Sequence, residues 1–257
     1  PESARLRALG RGGSLPVLPA FSASRDMPAE LSVVITTFNS APFIGGALSS
    51  LAALPQSEAP AAVTVVDNCS SDGTAEAAAS IGGVQVIRNA ANLGLARANN
   101  IGAEASPPGD ILFLNPDVTV VPGAIGALLE LAREQPLAGL VGPSLVAPDG
   151  TPQNPARTFP TLADIAARRT FLGRLPSSRR RLERHFSPSS SQSPSRVDWI
   201  VGAAMLLTSR GRERFGLMSE RFFLYFEDVE WCWRAWSTGM EVWYHPGARI
   251  VHVARRE

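Results

Sequence analysis

The chain has 257 residues, of which 45% are apolar, and a formal net charge of +1. That length and apolar content suit one large α/β domain or two small ones with a substantial core, and the near-neutral balance supplies no overall field for nucleic acid. Every basic residue is an arginine, which excludes a Walker A phosphate loop, a Schiff-base mechanism and transfer chemistry built on a catalytic lysine.

Residues 1–28 carry no apolar run like that of a secretory signal and read as a disordered tail. From residue 29 to 257 the chain reads as a single domain. Its first strand is expected at Leu31 to Thr36, followed by Thr37-Phe38-Asn39-Ser40 and a helix from Ala41 to Leu54, with Ser40 as cap and Pro42 in the first turn. A second strand, Val63 to Val66, runs into Asp67-Asn68-Cys69-Ser70-Ser71-Asp72-Gly73-Thr74 and an alanine-rich helix at about 75–80. A third, Val84 to Ile87, leads through Asn92-Leu93-Gly94 to a helix near Leu95 to Glu104 that carries Arg97. The fourth, Ile111 to Leu114, is an unbroken apolar run, as expected of a strand covered on both faces, and ends at Asn115-Pro116-Asp117.

Strand and helix alternate about every 25 residues, which implies parallel strands joined by right-handed crossovers. Thr36, Asn39, Asp67, Asp72, Asn92, Arg97 and Asp117 then gather around one crevice beyond the carboxyl ends of the strands. No GxGxxG fingerprint follows any strand, so a nucleotide would have to be held in another way.

A helix at 123–134 and a strand at Gly139 to Val146 follow, closed by the turn signal Pro148-Asp149-Gly150. About 168–196 reads as a mobile basic and serine-rich loop, a solvated stretch or a peripheral contact for an anionic membrane. Val197 to Leu207, including Asp198 and Trp199, is apolar enough for a buried strand or two. An aromatic run, Phe222 to Phe226, ends in Glu227-Asp228, after which Val229, Cys232, Trp233 and Trp236 are spaced as one apolar helix face. These aromatics are expected in the core rather than as a sugar platform. Closing strands are expected at Glu241 to Tyr244 and Ala248 to Val253, the latter carrying His252. Cys69 and Cys232 fit no metal spacing and read as reduced, buried thiols of a cytosolic protein. No apolar run reaches the roughly 20 residues needed to cross a bilayer.

Two acidic features call for chemistry. Asp117 is either part of a turn that ends a strand or a hard oxygen ligand for Mg2+ or Mn2+ carrying a diphosphate. Glu227 and Asp228 stand at a helix start, where the dipole favours a carboxylate. That accounts for one of them, and apolar surroundings would raise the proton affinity of the other, as a general base requires. A cation at Asp117 and a base at Asp228 describe displacement at a carbon bearing a nucleoside diphosphate.

The chain resembles the inverting family 2 glycosyltransferases of the GT-A fold, in their bacterial rhamnosyltransferase-like and galactofuranosyltransferase-like branch. The resemblance runs in order from Leu31 to about His252 through Val34-Ile35-Thr36-Thr37-Phe38-Asn39, Val66-Asp67-Asn68 with Asp72-Gly73-Thr74, Asn92-Leu93-Gly94 with Arg97 and Asn99, Leu114-Asn115-Pro116-Asp117, Asp198-Trp199 with Gly202-Ala203, and Phe226-Glu227-Asp228 with Trp233-Arg234. It implies a Rossmann-like three-layer α/β/α sandwich on a mostly parallel sheet, with a nucleotide-sugar half at about 29–122 and an acceptor half at about 123–257. By the same resemblance Thr36, Asn39, Asp67, Asp72, Asn92, Arg97, Asn115 and Asp117 hold the nucleotide sugar, dTDP-rhamnose being the first expectation. Asp117 is the last acid of an Asp-X-Asp motif whose first acid is replaced by Asn115, and His252 matches a late histidine that joins the metal in some relatives. Asp228 is the base, supported by Glu227, and Asp198, Trp199 and Arg234 belong to the side of a saccharide or polyprenyl-linked acceptor. Such an enzyme is expected in the cytoplasm, at the inner face of the membrane. The alternatives are a non-catalytic nucleotide-sugar-binding domain and, more remotely, a dehydrogenase-type domain.

Overall fold

Strand periodicity alone divides this molecule into layers. The computed structural model describes residues 31–159 and 192–253, so the expected N-terminal tail and most of the basic loop lie outside the described residues. Strands β1 (Ser32–Thr37) and β4 (Ile111–Leu114) are buried along their whole length. Their side chains alternate between two cores: Val33, Ile35, Leu112 and Leu114 face one, Val34, Ile111 and Phe113 the other.

The first core is roofed by α1 (Ala41–Ala52), α2 (Thr74–Ala79) and α4 (Ala124–Glu134), which contribute Ile44, Leu48, Ala78, Ile125 and Leu128. The second lies under α3 (Leu95–Ala105), α5 (Ser209–Phe215) and α6 (Glu227–Ser237), with Ala96, Ala103, Phe215, Trp231 and Cys232. Trp231 anchors it, its ring meeting Phe113 edge-on at 5.5 Å and Phe215 at 6.2 Å between centroids. This is the three-layer α/β/α sandwich.

The sheet mixes two halves. β2 (Ala62–Asp67) and β3 (Val84–Arg88) extend β1 and β4 as the order β3-β2-β1-β4, all parallel. β5 (Val118–Val120), β6 (Ala138–Val146), the two-residue strands β7 (Pro152–Gln153), β8 (Ala156–Arg157), β9 (Ser195–Arg196) and β10 (Trp199–Ile200), then β11 (Ala204–Leu207) and β12 (Glu241–His252) follow in the chain; β8 and β10 pair with each other in a separate antiparallel ribbon. Next to β4 lies β11, antiparallel to it, and the order continues β6-β12-β5, with β12 parallel to β6.

Four local expectations change. Ser40 flanks α1 without a side-chain cap; Asp72 does that work from the neighbouring loop, its Oδ2 accepting from the Ala41 N–H at 3.0 Å. The two closing strands are one, because His245 Nδ1 accepts from the Gly247 and Ala248 N–H groups at 3.0 and 3.1 Å and folds Pro246-Gly247 into a bulge rather than a strand end. Cys69 is exposed, not buried, whereas burial pushes the Cys232 thiol far up. Ser195, expected in mobile chain, pairs with Tyr244 in β9.

The buried face of α6 also differs. It consists of Glu227, Trp231, Cys232 and Ala235, while Trp233, expected inside, is 58% exposed. The aromatic run before the helix is exposed as well, Phe226 at 66%.

Candidate active site

The ends of β1 to β4 lie on one edge, and the polar residues there form a closed network. Asp67 takes hydrogen bonds from the Thr37 hydroxyl at 3.0 Å, from the Ser70 N–H at 3.0 Å and from the Ser70 hydroxyl. Asn39, in the left-handed region at φ 49°, accepts from the Ser71 N–H at 3.0 Å and donates its own N–H to Ser70 Oγ at 2.9 Å. Thr36 donates to Asn99 Oδ1 at 2.7 Å. Asn92 Oδ1 accepts from Asn68 Nδ2 and the Gly94 N–H, both at 3.0 Å. The structure thus brings Thr36, Asn39, Asp67 and Asn92 to one edge.

Asp72 and Arg97 are committed differently. Asp72 also accepts from the Thr74 N–H and hydroxyl, and the Thr74 hydroxyl bond is the largest cause holding its carboxyl below the usual range. Arg97 reaches Glu220 at 3.4 Å, both side chains being solvent-exposed. An exposed pair of this kind adds little to stability.

Asn68, quoted only as part of a motif, turns out to be the organiser of the loops. Buried, it donates to Asn92 and to the Gly94 carbonyl and accepts from Asn89 Nδ2 and the Leu93 N–H, at 2.9 to 3.1 Å. Its four bonds use both amide protons and both lone pairs of the side-chain oxygen.

Beyond β4, Asp117 meets His252 across the sheet, Oδ1 to Nε2 at 3.5 Å. The Asp117 carbonyl accepts from the Val253 N–H at 3.0 Å, which holds the two segments together. Gln153 orients the imidazole: its Nε2 donates to the His252 carbonyl at 2.9 Å, so its Oε1 faces Nδ1 at 2.8 Å. With a ring proton on Nδ1 directed at Gln153, the Nε2 lone pair would be free to join the Asp117 carboxylate on a cation between them. Two acceptors converging in this way suit a hard divalent cation bound through one carboxylate and one imidazole, with a diphosphate and water completing its shell. Among the described residues no group of three or more His, Cys, Asp or Glu side chains adds a third protein ligand.

Asp228 reaches the same edge by a short path. The Asn115 N–H donates to the Ala203 carbonyl at 2.9 Å, continuing the β4–β11 pairing, and the neighbouring Gly202 N–H donates to Asp228 Oδ2 at 3.0 Å. Burial pushes the Asp228 carboxyl above its ordinary range, against the opposing pull of the Gly202 and Val229 amides and of the Arg157 charge. Glu227 is 4% exposed, and its Oε2 has no hydrogen-bond partner among the described residues. Its carboxyl is also raised, first by burial and then by the Asp228 charge.

The residues expected on the acceptor side separate. Arg157 lies over the Trp199 ring at 5.2 Å, and Trp199 Nε1 donates to the Thr158 carbonyl at 3.1 Å. Asp198 instead holds the chain, its Oδ2 accepting from the Phe159 N–H at 2.7 Å. Arg234 is bound to Glu230 through Nε and Nη2, each at 3.0 Å, and donates to the Phe215 carbonyl. Its guanidinium is therefore spent within the protein. Arg157 and Gln153 were not singled out in the sequence, since neither stands in a motif and each meets its partner only through tertiary pairing.

Two acids thus stand close to the ends of β4 and β11: Asp117 follows β4, and Asp228, at the start of α6, is held by the Gly202 amide that precedes β11. The profile of the family described as Glycosyl transferase family 2 matches residues 32–191. The chain belongs to that family. It is 32% identical over 241 residues to the N-acetylglucosaminyl-diphospho-decaprenol L-rhamnosyltransferase of Mycobacterium tuberculosis, covering 88% of this chain and 76% of that protein. It is 26% identical over 210 residues to the Haloferax volcanii low-salt glycan biosynthesis hexosyltransferase Agl10, covering 80% and 61%. Among solved structures, GalNAc-T7 with UDP, GalNAc and Mn2+ shares the fold at a TM-score of 0.69 and 18% identity, over 89% of this chain but 44% of that one. The Pyrobaculum calidifontis mannosyltransferase PcManGT with GDP-Man and Mn2+ gives 0.62 and 14%, over 100% and 64%. The transferase thus has the GT-A architecture, and as a family 2 glycosyltransferase it is an enzyme.

Proposed function

We propose that this transferase moves a sugar, with inversion, from a nucleoside diphosphate sugar to a hydroxyl of a polyprenyl-linked saccharide, and that the donor is dTDP-rhamnose. The observation that carries the reading is the short hydrogen-bonded path from Asn115 through Ala203 and Gly202 to Asp228, which sets a half-buried acid beside the strand end that leads to Asp117. Identity to a rhamnosyltransferase over most of the chain supports the choice of sugar and the class of acceptor.

In this reading Asp228 takes the proton of the acceptor hydroxyl as its oxygen attacks the anomeric carbon, and the bond from that carbon to the diphosphate oxygen breaks. Attack from the face opposite the leaving group inverts the configuration. The raised proton affinity of Asp228 suits a base that must hold a hydroxyl proton, and its charge in turn raises the neighbouring Glu227 carboxyl. Asp117 and His252 would hold Mg2+ or Mn2+, which supplies charge neutralisation on the departing diphosphate. Thr36, Asn39, Asp67 and Asn92 shape the pocket for the nucleotide. A polyprenyl-linked acceptor would bring the enzyme to the inner face of the membrane; among the described residues no helix is long and apolar enough to cross one.

A thermal-shift screen of dTDP-, UDP- and GDP-sugars with Mn2+ tests the donor, because a true donor binds only the folded state. The largest stabilisation is expected from dTDP-rhamnose, and NMR of the product should show the inverted anomer. Stabilisation by UDP- or GDP-sugars alone would reassign the donor, and a retained anomer would remove the single displacement.

A further inference from the structure

The aromatic run before the base, expected in the core, forms an open groove instead. Phe159, Phe222, Phe226, Val229, Glu230 and Trp233 enclose about 550 Å3, a volume within the range of ligand sites. Phe226 and Trp233 are 66% and 58% exposed, and an apolar patch of this kind beside a transfer site marks a binding surface. Its position is set by the base itself: Phe226 and Val229 bracket Glu227 and Asp228, and Trp233 stands five residues beyond Asp228 on α6, roughly 7 Å along the helix.

Two observations define what the groove accepts. Among the described residues its one charged side chain is Glu230, whose two carboxylate oxygens each accept from Arg234, so the described lining is mainly apolar and presents few groups to sugar hydroxyls. The rings are also held outward at a cost. Tyr225 and Phe226 occupy the left-handed region in succession, at φ 68° and 70°, a conformation that bulky residues rarely adopt and that persists at functional sites. The loop is pinned in that form by the Leu95 N–H, which donates to the Phe223 carbonyl at 2.8 Å.

We propose that this groove receives the first isoprene units of the acceptor's polyprenyl chain, so that the saccharide hydroxyl lies at Asp228 and the lipid leaves along Phe226 and Trp233. The inference rests on the polyprenyl-linked acceptor proposed above and names the surface that reads its lipid. Chain length then becomes part of specificity, since each further buried unit adds apolar contact.

The test compares two acceptors with the same saccharide-diphosphate head, one on a decaprenyl chain and one on a two-unit prenyl chain, in the same detergent. The wild-type enzyme is expected to favour the long chain at least tenfold in kcat/KM, mainly through KM. Phe226→Ser and Trp233→Ser should each bring that ratio close to one, and Trp233→Leu should restore most of it. Circular dichroism melts check that the variants remain folded; if either serine variant is unfolded, the alanine variant at the same position carries the comparison. An unchanged ratio in the folded variants overturns the groove while leaving the polyprenyl-linked acceptor intact. Transfer to neither acceptor, with transfer to a water-soluble saccharide, overturns both. Loss of binding to acceptor-free phosphatidylcholine vesicles with the ratio unchanged would assign the patch to the bilayer surface and likewise overturn the groove.

Discussion

Gly94 joins the two halves of the site, and replacing it by alanine should separate them. Gly94 has φ 86° and ψ 165°, a region nearly closed to residues with a side chain, at a cost of about 1–3 kcal/mol. A Cβ there would lie 2.6 Å from the Phe223 carbonyl oxygen and 2.9 Å from its Cα. Both are backbone atoms and cannot swing aside as a flexible side chain would. Relief requires the Phe223 loop to withdraw, which breaks the Leu95 N–H bond to its carbonyl, worth about 1 kcal/mol. Gly94→Ala should therefore lose about 2–4 kcal/mol in urea denaturation, or keep global stability and release the loop. Hydrogen exchange distinguishes the two outcomes, because release alone strips protection from the Leu95 amide. Turnover should fall in both cases, since Phe223 is tied to α6 and Asp228 through only a few residues. A variant within about 0.5 kcal/mol of wild type, with Leu95 still protected, would refute the steric reasoning.

Asp228→Asn should reduce turnover by about 10²–10⁴-fold with an unchanged thermal shift from the donor; near-normal turnover would reassign the base. Arg157→Leu removes a positive charge that lowers the Asp228 carboxyl, so the acid limb of the kcat/KM profile should move to higher pH, and a limb that stays in place would place Arg157 outside the base's field. Glu227 is raised in the folded state above its usual 4.5, so the folded protein holds this proton more tightly than the unfolded chain does, and stability falls as pH rises from that value toward the raised one. Glu227→Gln should accordingly be more stable than wild type in urea at pH 8, with the advantage fading toward pH 4; parallel curves for the two proteins would contradict this. Gln153→Leu frees the His252 ring, and calorimetry of Mn2+ with a nucleoside diphosphate should show about 10–100-fold weaker metal binding; equal affinity would show that the ring needs no second partner.

Much of the N-terminal half was legible because its central strands are covered on both faces. Ile111 to Leu114 must be apolar at every position to lie between two helical layers, and that run, closed by a proline, marks strand and stop together. The C-terminal half hid its plan for equally physical reasons. The buried stripe of α6 includes Glu227, a charged residue that masks the period, while the 229, 232, 233 and 236 spacing offers an apolar decoy whose Trp233 faces water. Val118–Val120 is short for an isolated strand signal and exists through pairing with β12.

The amino-acid sequence by itself determined the alternation of strand and helix and the strand ends where polar residues collect, since each follows from local periodicity, proline and residue type. Only the tertiary structure decided that Gln153 would orient His252 across 99 positions, that Asp72 would cap a helix in place of Ser40, and that the aromatics would line a groove rather than fill a core. Those outcomes depend on which distant surfaces meet, and a linear pattern records the preference of each residue for burial but not the partner that provides it.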